Sequence, residues 1–593
     1  MAESKTSRSR AWNFPTSPRS PYKLQGELKL LKAFDGRIWD KHTQLEFAKS
    51  LANYEGFEGN VSKDETAFSA RDRLRGPRLM GFICTPKRGT KDGKLEFTEV
   101  GNLFLNASDE EQELILQRQI AKVQYRSHLH NNKGFEDMNV RPLMLMIKLL
   151  LQLDKMSKEE IALFALTLTD YKKFDEVVAE IKNYRSLVSS KKAGIERKTF
   201  KKDYATQYVN KVYEDDIESG RTKLREGGKD FSKTKLQTLK DYADSSIRYL
   251  RATGLFTLLP HGQTLALTKA KIDDSIFLLE KYGTSVSDKT DVDYEDYCKN
   301  YLGNPSLPVL RIDNRDDQDR DFSRMYQAVK QSDSMFADKL KEEFNQAKSS
   351  VEKINTIVRL EKKITEIQVK NEAKNIRIDF DSSLGDIKQI FNDIASRDKE
   401  IVDRPLMYEW NTWRSMVLIN DALNVQGNYH ADADGNPVST ASGNMPDILC
   451  EYDSFWLGVE VTLQSGMKQY ETEGEPISRH IGKLQKSRVD ASDNRPVFGL
   501  FVAEKINPEV ISHLFTLASR NSQVYSGKVR ILPIERQSFI NLTESALKHP
   551  KFSNRVLLKF FEDVFGLHNN DLGEIDWFNS VQQKAAEIHL HYH

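Results

Sequence analysis

Two acidic residues near the end of the chain have the types and spacing for metal-dependent chemistry. Asp447 follows Pro446 in Met445-Pro-Asp-Ile-Leu-Cys-Glu-Tyr, a stretch that predicts a β-strand. Glu460 comes 13 positions later, in Ser454-Phe-Trp-Leu-Gly-Val-Glu-Val-Thr, a second predicted strand. Folded as a hairpin, the two strands bring both carboxylates to one point. Carboxylates that close repel each other unless a proton or a cation intervenes. Hard divalent cations take oxygen ligands of this kind, so Mg²⁺ is the expected cofactor and Mn²⁺ its substitute. Such an ion polarises a phosphodiester and acidifies an attacking water. The Val461 carbonyl is a further candidate oxygen ligand.

The same pattern is the core of the nuclease motif PD…(D/E)xK. Here Thr462 stands at the lysine position. Taken alone, the pair also reads as surface residues of a half-exposed hairpin. The surroundings add chemistry. Lys468-Gln-Tyr-Glu-Thr-Glu-Gly-Glu-Pro-Ile-Ser-Arg-His480 brings Glu471, Glu473, Glu475, Arg479 and His480 soon after the second strand. A helix there would lean over the carboxylates. His480 reads either as a general base that replaces the missing lysine or as a structural histidine at a helix end. Lys468 is a second candidate for the lysine role.

These residues need a scaffold. Glu400 to Leu423 predicts a helix with Trp410, Trp413, Met416, Val417 and Ile419 as its apolar set, and Glu409 sits on it. A polar loop, Asn428 to Gly443, follows. Val497-Phe-Gly-Leu-Phe-Val-Ala and Lys528-Val-Arg-Ile-Leu-Pro-Ile predict two buried strands, with Pro508 to Ser519 helical between them. The order predicts an α/β unit around a mixed central sheet.

The first half has different chemistry. Lys+Arg is 88 and Asp+Glu 87, a net charge of +1, so total charge does not mark a nucleic-acid binder. The distribution is uneven. Between Lys182 and Lys202 eight basic residues, among them Lys191, Lys192, Lys198, Lys201 and Lys202, face one acid, Glu196. A second basic series runs Arg221, Lys223, Arg225, Lys229, Lys233, Lys235, Lys240. Such stretches serve either as a phosphate-facing surface or as a solvated helix face. Two further stretches share a pattern of helix, strand, Gly-containing turn and return strand. One runs from Phe68 to Gly101 and the other from Ile247 to Thr268, with Pro260-His261 opening its turn. Helices capped by a two-stranded wing make a winged helix-turn-helix, which places a helix in the DNA major groove or serves protein contacts. Arg71, Arg73, Arg75 and Arg78 lie on or beside the first candidate recognition helix, and Arg248 and Arg251 on the second. The Ser/Thr-rich start, with Arg8, Arg10 and Arg19, predicts a basic arm, and Lys23 to Phe34 an amphipathic helix. Ser157-Lys-Glu-Glu predicts a capping box. Val351 to Ala373 predicts a long amphipathic helix between domains.

With these residues in hand, the chain resembles the type IIS restriction and nicking endonucleases of the AlwI/PleI/MlyI/BstNBI group. The resemblance rests on Ser17-Pro-Arg-Ser-Pro-Tyr-Lys-Leu-Gln-Gly-Glu-Leu-Lys, Arg248-Tyr-Leu-Arg-Ala-Thr-Gly-Leu-Phe, Gly303-Asn-Pro-Ser-Leu-Pro, Glu409-Trp-Asn-Thr-Trp, Gly443-Asn-Met-Pro-Asp447, Gly458-Val-Glu-Val-Thr and Glu473-Gly-Glu-Pro-Ile-Ser-Arg-His480. It implies a multidomain α+β chain. Winged-helix-like DNA-recognition subdomains span 1–135 and 136–290, a helical linker 291–380, and a PD-(D/E)xK-type nuclease domain 381–593. It implies catalytic positions at Glu409, Asp447, Glu460, Glu473 and His480. It also implies binding to a short asymmetric duplex site, with cleavage a few base pairs outside it. One active site cuts one strand, so a single chain nicks. Double-strand cutting takes a second copy or a separate small catalytic subunit.

Composition bounds the alternatives. A hydrophobic fraction of 39% and a charged fraction of 30% describe a globular chain. No apolar run approaches the roughly 18 residues of a membrane span. Met1-Ala-Glu-Ser-Lys lacks the apolar core of a secretory signal. Cys84, Cys298 and Cys450 are too few for a disulfide framework and fit a reducing cytoplasm, which the resemblance implies is bacterial. The competing readings are a modification-dependent or repair nuclease, a DNA-binding regulator with an inactive nuclease domain, and a protein-interaction scaffold.

Overall fold

The computed structural model describes residues 9–52, 54, 67–87, 90, 92–130, 134–222, 230–259, 262–287, 292–396, 400–419, 421–440, 445–549, 551–569 and 572–591. Arg8, Lys223, Arg225, Lys229, the turn residues Pro260 and His261, and Gly443 lie outside them. The chain divides into two compact units, Met1–Thr365 and Glu366–His593. The segment 291–380 is therefore shared between both units, and the helix Ser350–Ile378 crosses the boundary.

The first unit is mostly helical. Its N-terminal stretch is not a free arm. Trp12 and Phe14 are fully buried, and Trp12 donates its Nε1–H to the Ala165 carbonyl at 2.8 Å. Burying two large aromatics more than offsets the cost of ordering the strap. Leu24, Leu28 and Leu31 of the helix Leu24–Leu31 face the same interior. The first repeated pattern forms two short helices, Phe68–Arg73 and Arg75–Leu79, then an antiparallel strand pair, Ile83–Cys84 with Glu96–Phe97. The second forms the long helix Phe231–Arg251, then strands Phe256–Leu258 and Thr264–Leu267. A third strand, Lys155–Ser157, pairs with the outer edge of Thr264–Leu267, where the sequence predicted a helix start. The capping box is present all the same. Ser157 accepts from the Glu160 N–H at 3.2 Å, and Glu160 accepts from the Ser157 N–H at 2.7 Å.

The second unit positions the chemistry. Helix α1 (Arg404–Ile419) leads into strands β1 (Asn424–Gly427), β2 (Ile448–Glu451) and β3 (Trp456–Thr462). Helix α2 (Met467–Asp490), β4 (Val497–Ala503), α3 (Pro508–Ser519) and β5 (Ile531–Glu535) follow. The sheet order is β5-β4-β3-β2-β1. β3 pairs antiparallel with β2 and parallel with β4, and β4 is parallel to β5. This is the mixed sheet that the sequence predicted.

Period-two alternation splits the sheet into two faces. Leu457, Val459, Phe498, Leu500, Val502, Leu532 and Ile534 pack with Trp413, Met416 and Val417 of α1. Trp456, Phe501 and Ile531 pack on the other face with Ile477, Ile481 and Leu484 of α2 and Val510 and Leu514 of α3. Glu460 and Thr462 share the face of Trp456, so carboxylate and hydroxyl chemistry sits where the core of that face ends. The register pairs Gly458 with Gly499. A Cβ on Gly458 would meet Ile481 Cδ1 at 2.5 Å, and one on Gly499 would meet Ile481 Cγ1 at 3.0 Å. The two glycines thus form a notch that seats Ile481 and sets the height of α2 over β3.

Candidate active site

The β2–β3 register determines where the two acids meet. Ile448 pairs with Val459 and Leu449 with Gly458. Continued by one residue, the same register sets Asp447 opposite Glu460. Opposed residues of an antiparallel pair point to the same face, with Cβ atoms about 4.5–5.5 Å apart. Asp447 Oδ2 accepts the Val461 N–H at 2.7 Å. In a strand the carbonyl of a residue leaves by the same edge as its N–H, so the Val461 oxygen is directed to the Asp447 side.

Helix α2 supplies two more groups. Glu473 and His480 are seven residues apart, two helical turns, and so share one face. α2 runs back along β3. Glu473 reaches Thr462, whose Oγ1 donates to Glu473 Oε1 at 2.8 Å. His480 reaches Glu460, with Nδ1 2.9 Å from Oε1. Pro476 lies in the helix between them.

The electrostatics are those of acids held together by more burial than counter-charge, with the Arg479 cation opposing the rise at Glu460. Burial, and then the Glu460 charge, raise the Asp447 carboxyl well above its ordinary range, against the Val461 N–H, which lowers it. Burial raises Glu460 likewise, and Glu473 and Glu409 add to the effect. Burial also raises Glu473, opposed by the Thr462 hydrogen bond and by His480. Burial and then the Arg479 cation lower His480 from its ordinary value, opposed by Glu475 and Glu473. Glu409 is buried on α1 and belongs to the cluster through its charge, which acts on Glu460 and on the buried Tyr429.

The donor set fits a hard divalent cation. Two facing carboxylates with raised pKa values lack positive charge, and the carboxylate and carbonyl oxygens are the ligands Mg²⁺ prefers. Among the described residues, no group of three or more His, Cys, Asp or Glu side chains forms a ready-made metal cage. Asp447, Glu460 and the Val461 carbonyl supply the oxygen atoms that would hold such an ion.

Sequence reasoning missed the part played by Thr462. Its place at the motif lysine position was the available signal. Lys468 is exposed on the first turn of α2. It is not among the charges acting on Asp447, Glu460 or His480.

The basic residues of the first unit divide into two groups. Arg71, Arg75, Lys192, Lys198 and Lys202 are exposed. Arg19 pairs with Asp241 and Asp244, Arg248 with Asp244, and Lys201 with Glu159, while Lys191 lies over the Phe200 ring. Arg78 is half-buried and 3.5 Å from the Tyr294 hydroxyl. Two expectations are corrected. Arg251 is 1% exposed, because its turn of the helix packs inward beside Tyr249 and Leu250, so it is a core residue. The Arg73 side chain is 13% exposed and hydrogen-bonded to the buried Glu27, which occupies the guanidinium edge that base readout would need.

A mixed sheet presents facing carboxylates, with a histidine leaning in from a crossing helix. Residues 79–542 match the AlwI restriction endonuclease family, and the chain belongs to that family, a family of DNA nucleases. The chain is also similar to a solved structure, the small subunit of the heterodimeric restriction endonuclease R.BspD6I. The similarity is 22% identity over 34% of this chain and 98% of that one, at a TM-score of 0.29. No curated protein matches the chain. Among the described residues, no helix is long and apolar enough to cross a membrane.

Proposed function

We propose that this restriction endonuclease is of the type IIS or nicking class, working in the cytoplasm. It binds a short asymmetric duplex site through the first unit and hydrolyses a phosphodiester a few base pairs away with the second. The observation that carries the hydrolytic reading is the opposed pair Asp447 and Glu460, with the Val461 N–H on one and His480 on the other. Asp447, Glu460 and the Val461 carbonyl would hold Mg²⁺. When bound, the ion neutralises phosphodiester charge and makes an attacking water more acidic.

The residues of the chain do the rest. An ionised Glu460 accepts the Nδ1–H of His480, which fixes the tautomer and leaves the Nε2 lone pair free. Nε2 takes the proton as the water oxygen bonds to phosphorus and the ester oxygen leaves. The Thr462 hydroxyl positions Glu473 beside them and favours its ionised form against burial, and Glu409 adds negative charge from the α1 side. The pattern PD…ExT is a PD-(D/E)xK core in which a histidine stands in for the lysine. The helix–wing arrangements at 68–97 and 231–267 support winged-helix-like recognition subdomains. Arg71, Arg75, Lys192, Lys198 and Lys202 supply phosphate or base contacts. With one such site per chain the enzyme nicks, and cutting both strands takes a second copy or a small catalytic subunit.

The test is supercoiled plasmid with Mg²⁺ or Mn²⁺. Open-circular product, absent with Asp447→Asn and Glu460→Gln while DNA binding persists, is the expected result. Binding without cleavage in any divalent ion overturns the nuclease reading in favour of a DNA-binding regulator. Run-off sequencing of the product places the cut relative to the bound site.

A further inference from the structure

The first unit contains a cleft of about 350 Å³ beside the helix Arg75–Leu79. This is near the small end of the roughly 300–1,000 Å³ range of small-molecule sites. Arg75 and Arg78, three residues apart on one helix face, line it from one side. Asn13 of the N-terminal strap, Tyr125, His130 and Phe135 line the rest, together with aliphatic residues.

The walls combine two chemistries. One is flat and aromatic. The Tyr125 and His130 rings stack with centroids 4.2 Å apart at 23°, and Phe135 lies 5.3 Å from His130. The other is cationic. Arg75 keeps 61% of its side chain exposed, and Arg78 Nε is buried without a hydrogen-bond partner among the described residues. A bare phosphate needs no aromatic wall, and an apolar peptide needs no pair of guanidinium groups. A nucleotide needs both, a stacking surface for its base and cations for its phosphate.

The cleft is also prepared rather than loose. Asn13 and Tyr125 hold each other, with the Asn13 N–H donating to the Tyr125 hydroxyl at 3.0 Å and that hydroxyl donating to the Asn13 carbonyl. Ser127 Oγ lies 3.1 Å from His130 Nδ1 and fixes the ring. Burial and the two arginines push His130 down to about 4, so its ring is neutral and offers a hydrogen-bonding edge instead of a third positive charge.

We infer that this cleft receives one nucleotide turned out of the bound duplex, with its base against Phe135 and His130 and its phosphate on Arg75 and Arg78. The inference rests on the DNA-binding role proposed above for the first unit and adds what that unit takes from the DNA. Extruding a base costs unpairing and unstacking energy, and a mispaired base costs least.

That difference gives the test. The preferred duplex is selected from random sequences by binding alone, with the full-length Glu460→Gln variant, so the outcome does not depend on cleavage. Each base pair of the selected site is then replaced by a mismatch. At one position the mismatch should raise affinity about tenfold, whereas mismatches elsewhere lower it. Phe135→Ala and Arg78→Ala, each in the Glu460→Gln background, should abolish the gain and keep salt-dependent binding to random duplex, which also reports that the unit is folded. If Phe135→Ala does not fold, Phe135→Leu and His130→Ala serve in its place. The inference is overturned if no position gains, or if the gain survives in these variants. It is overturned equally if Arg75→Ala and Arg78→Ala weaken all duplexes uniformly and lower the salt slope by about one each, the signature of a plain backbone contact. Absence of plasmid cleavage by the wild-type chain in any divalent ion, with the mismatch gain intact in the Glu460→Gln variant, would refute the nuclease reading and leave this one standing.

Discussion

Asp447 stands one residue before the strand that pairs antiparallel with the strand of Glu460 and so meets Glu460 at its end, with the Val461 N–H bonded to the first and His480 to the second. Glu460 is buried and Asp447 half-buried, both face one sheet surface, and the Glu460 charge raises the Asp447 carboxyl. Each of the following expectations derives from that arrangement or from what holds it.

Without metal, the pair costs stability when ionised. Both folded pKa values lie above the unfolded ones, so the native state holds these protons more tightly. That contribution is complete below the unfolded carboxylate range, about 4, and is lost as pH rises through the raised folded values. In EDTA the thermal midpoint should therefore fall as pH rises from about 4 through the raised folded values. Glu460→Gln should flatten that dependence, as calorimetry across the pH range can measure.

Added Mg²⁺ should reverse the trend. The ligands must be ionised to bind, so metal affinity rises with pH. At about 100 times its Kd the ion should stabilise the wild type by about 2.7 kcal/mol. Asp447→Asn and Glu460→Gln should lose this shift, and a metal titration followed by thermal unfolding checks it.

His480 acts on the proton rather than on the metal. His480→Ala should slow cleavage about 10²–10⁴-fold and keep the Mg²⁺-induced stabilisation. Because burial and the Arg479 cation lower its pKa, the acid limb of the wild-type pH–rate profile should lie below that of an ordinary histidine. Single-turnover cleavage over a pH series reads both.

Thr462 positions Glu473 through one hydroxyl. Thr462→Val removes a hydrogen bond to a charged group, worth about 1.5–3 kcal/mol, and should lower the single-turnover rate roughly 10- to 100-fold. Thr462→Ser should keep most of the rate. Equal losses in Thr462→Val and Thr462→Ser would refute the positioning role.

The Gly458–Gly499 notch sets the reach of α2. Gly458→Val should force Ile481 away and carry His480 from Glu460, at a stability cost of about 1–3 kcal/mol typical of overpacking. The rate should fall further than this cost implies at temperatures where the protein remains folded. Rates measured well below the unfolding midpoint make the comparison.

On the recognition side, Lys198→Ala and Lys202→Ala should each lower the slope of log K against log salt by about one, with little effect on specificity. Arg251→Ala, in contrast, should cost about 2 kcal/mol or more of stability through lost packing. Salt-series binding and thermal unfolding separate the two behaviours.

The sequence by itself determined the local signals. Pro446-Asp447 and Glu460 on alternating apolar runs predicted two adjacent acid-bearing strands, because the strand period is set by neighbouring residues. The seven-residue spacing of Glu473 and His480 fixed one helix face. The capping box at Ser157 was legible because it closes within one turn. The tertiary structure decided what depends on distant neighbours. Register placed Asp447 opposite Glu460, and the approach of α2 to β3 turned Thr462 from an apparent motif failure into a partner of Glu473. Burial separated Arg251 from Arg248, three residues away on one helix, and Glu27 claimed Arg73 from 46 residues away. Charge and helical spacing show which residues can face solvent, but only the packed partner determines which of them do.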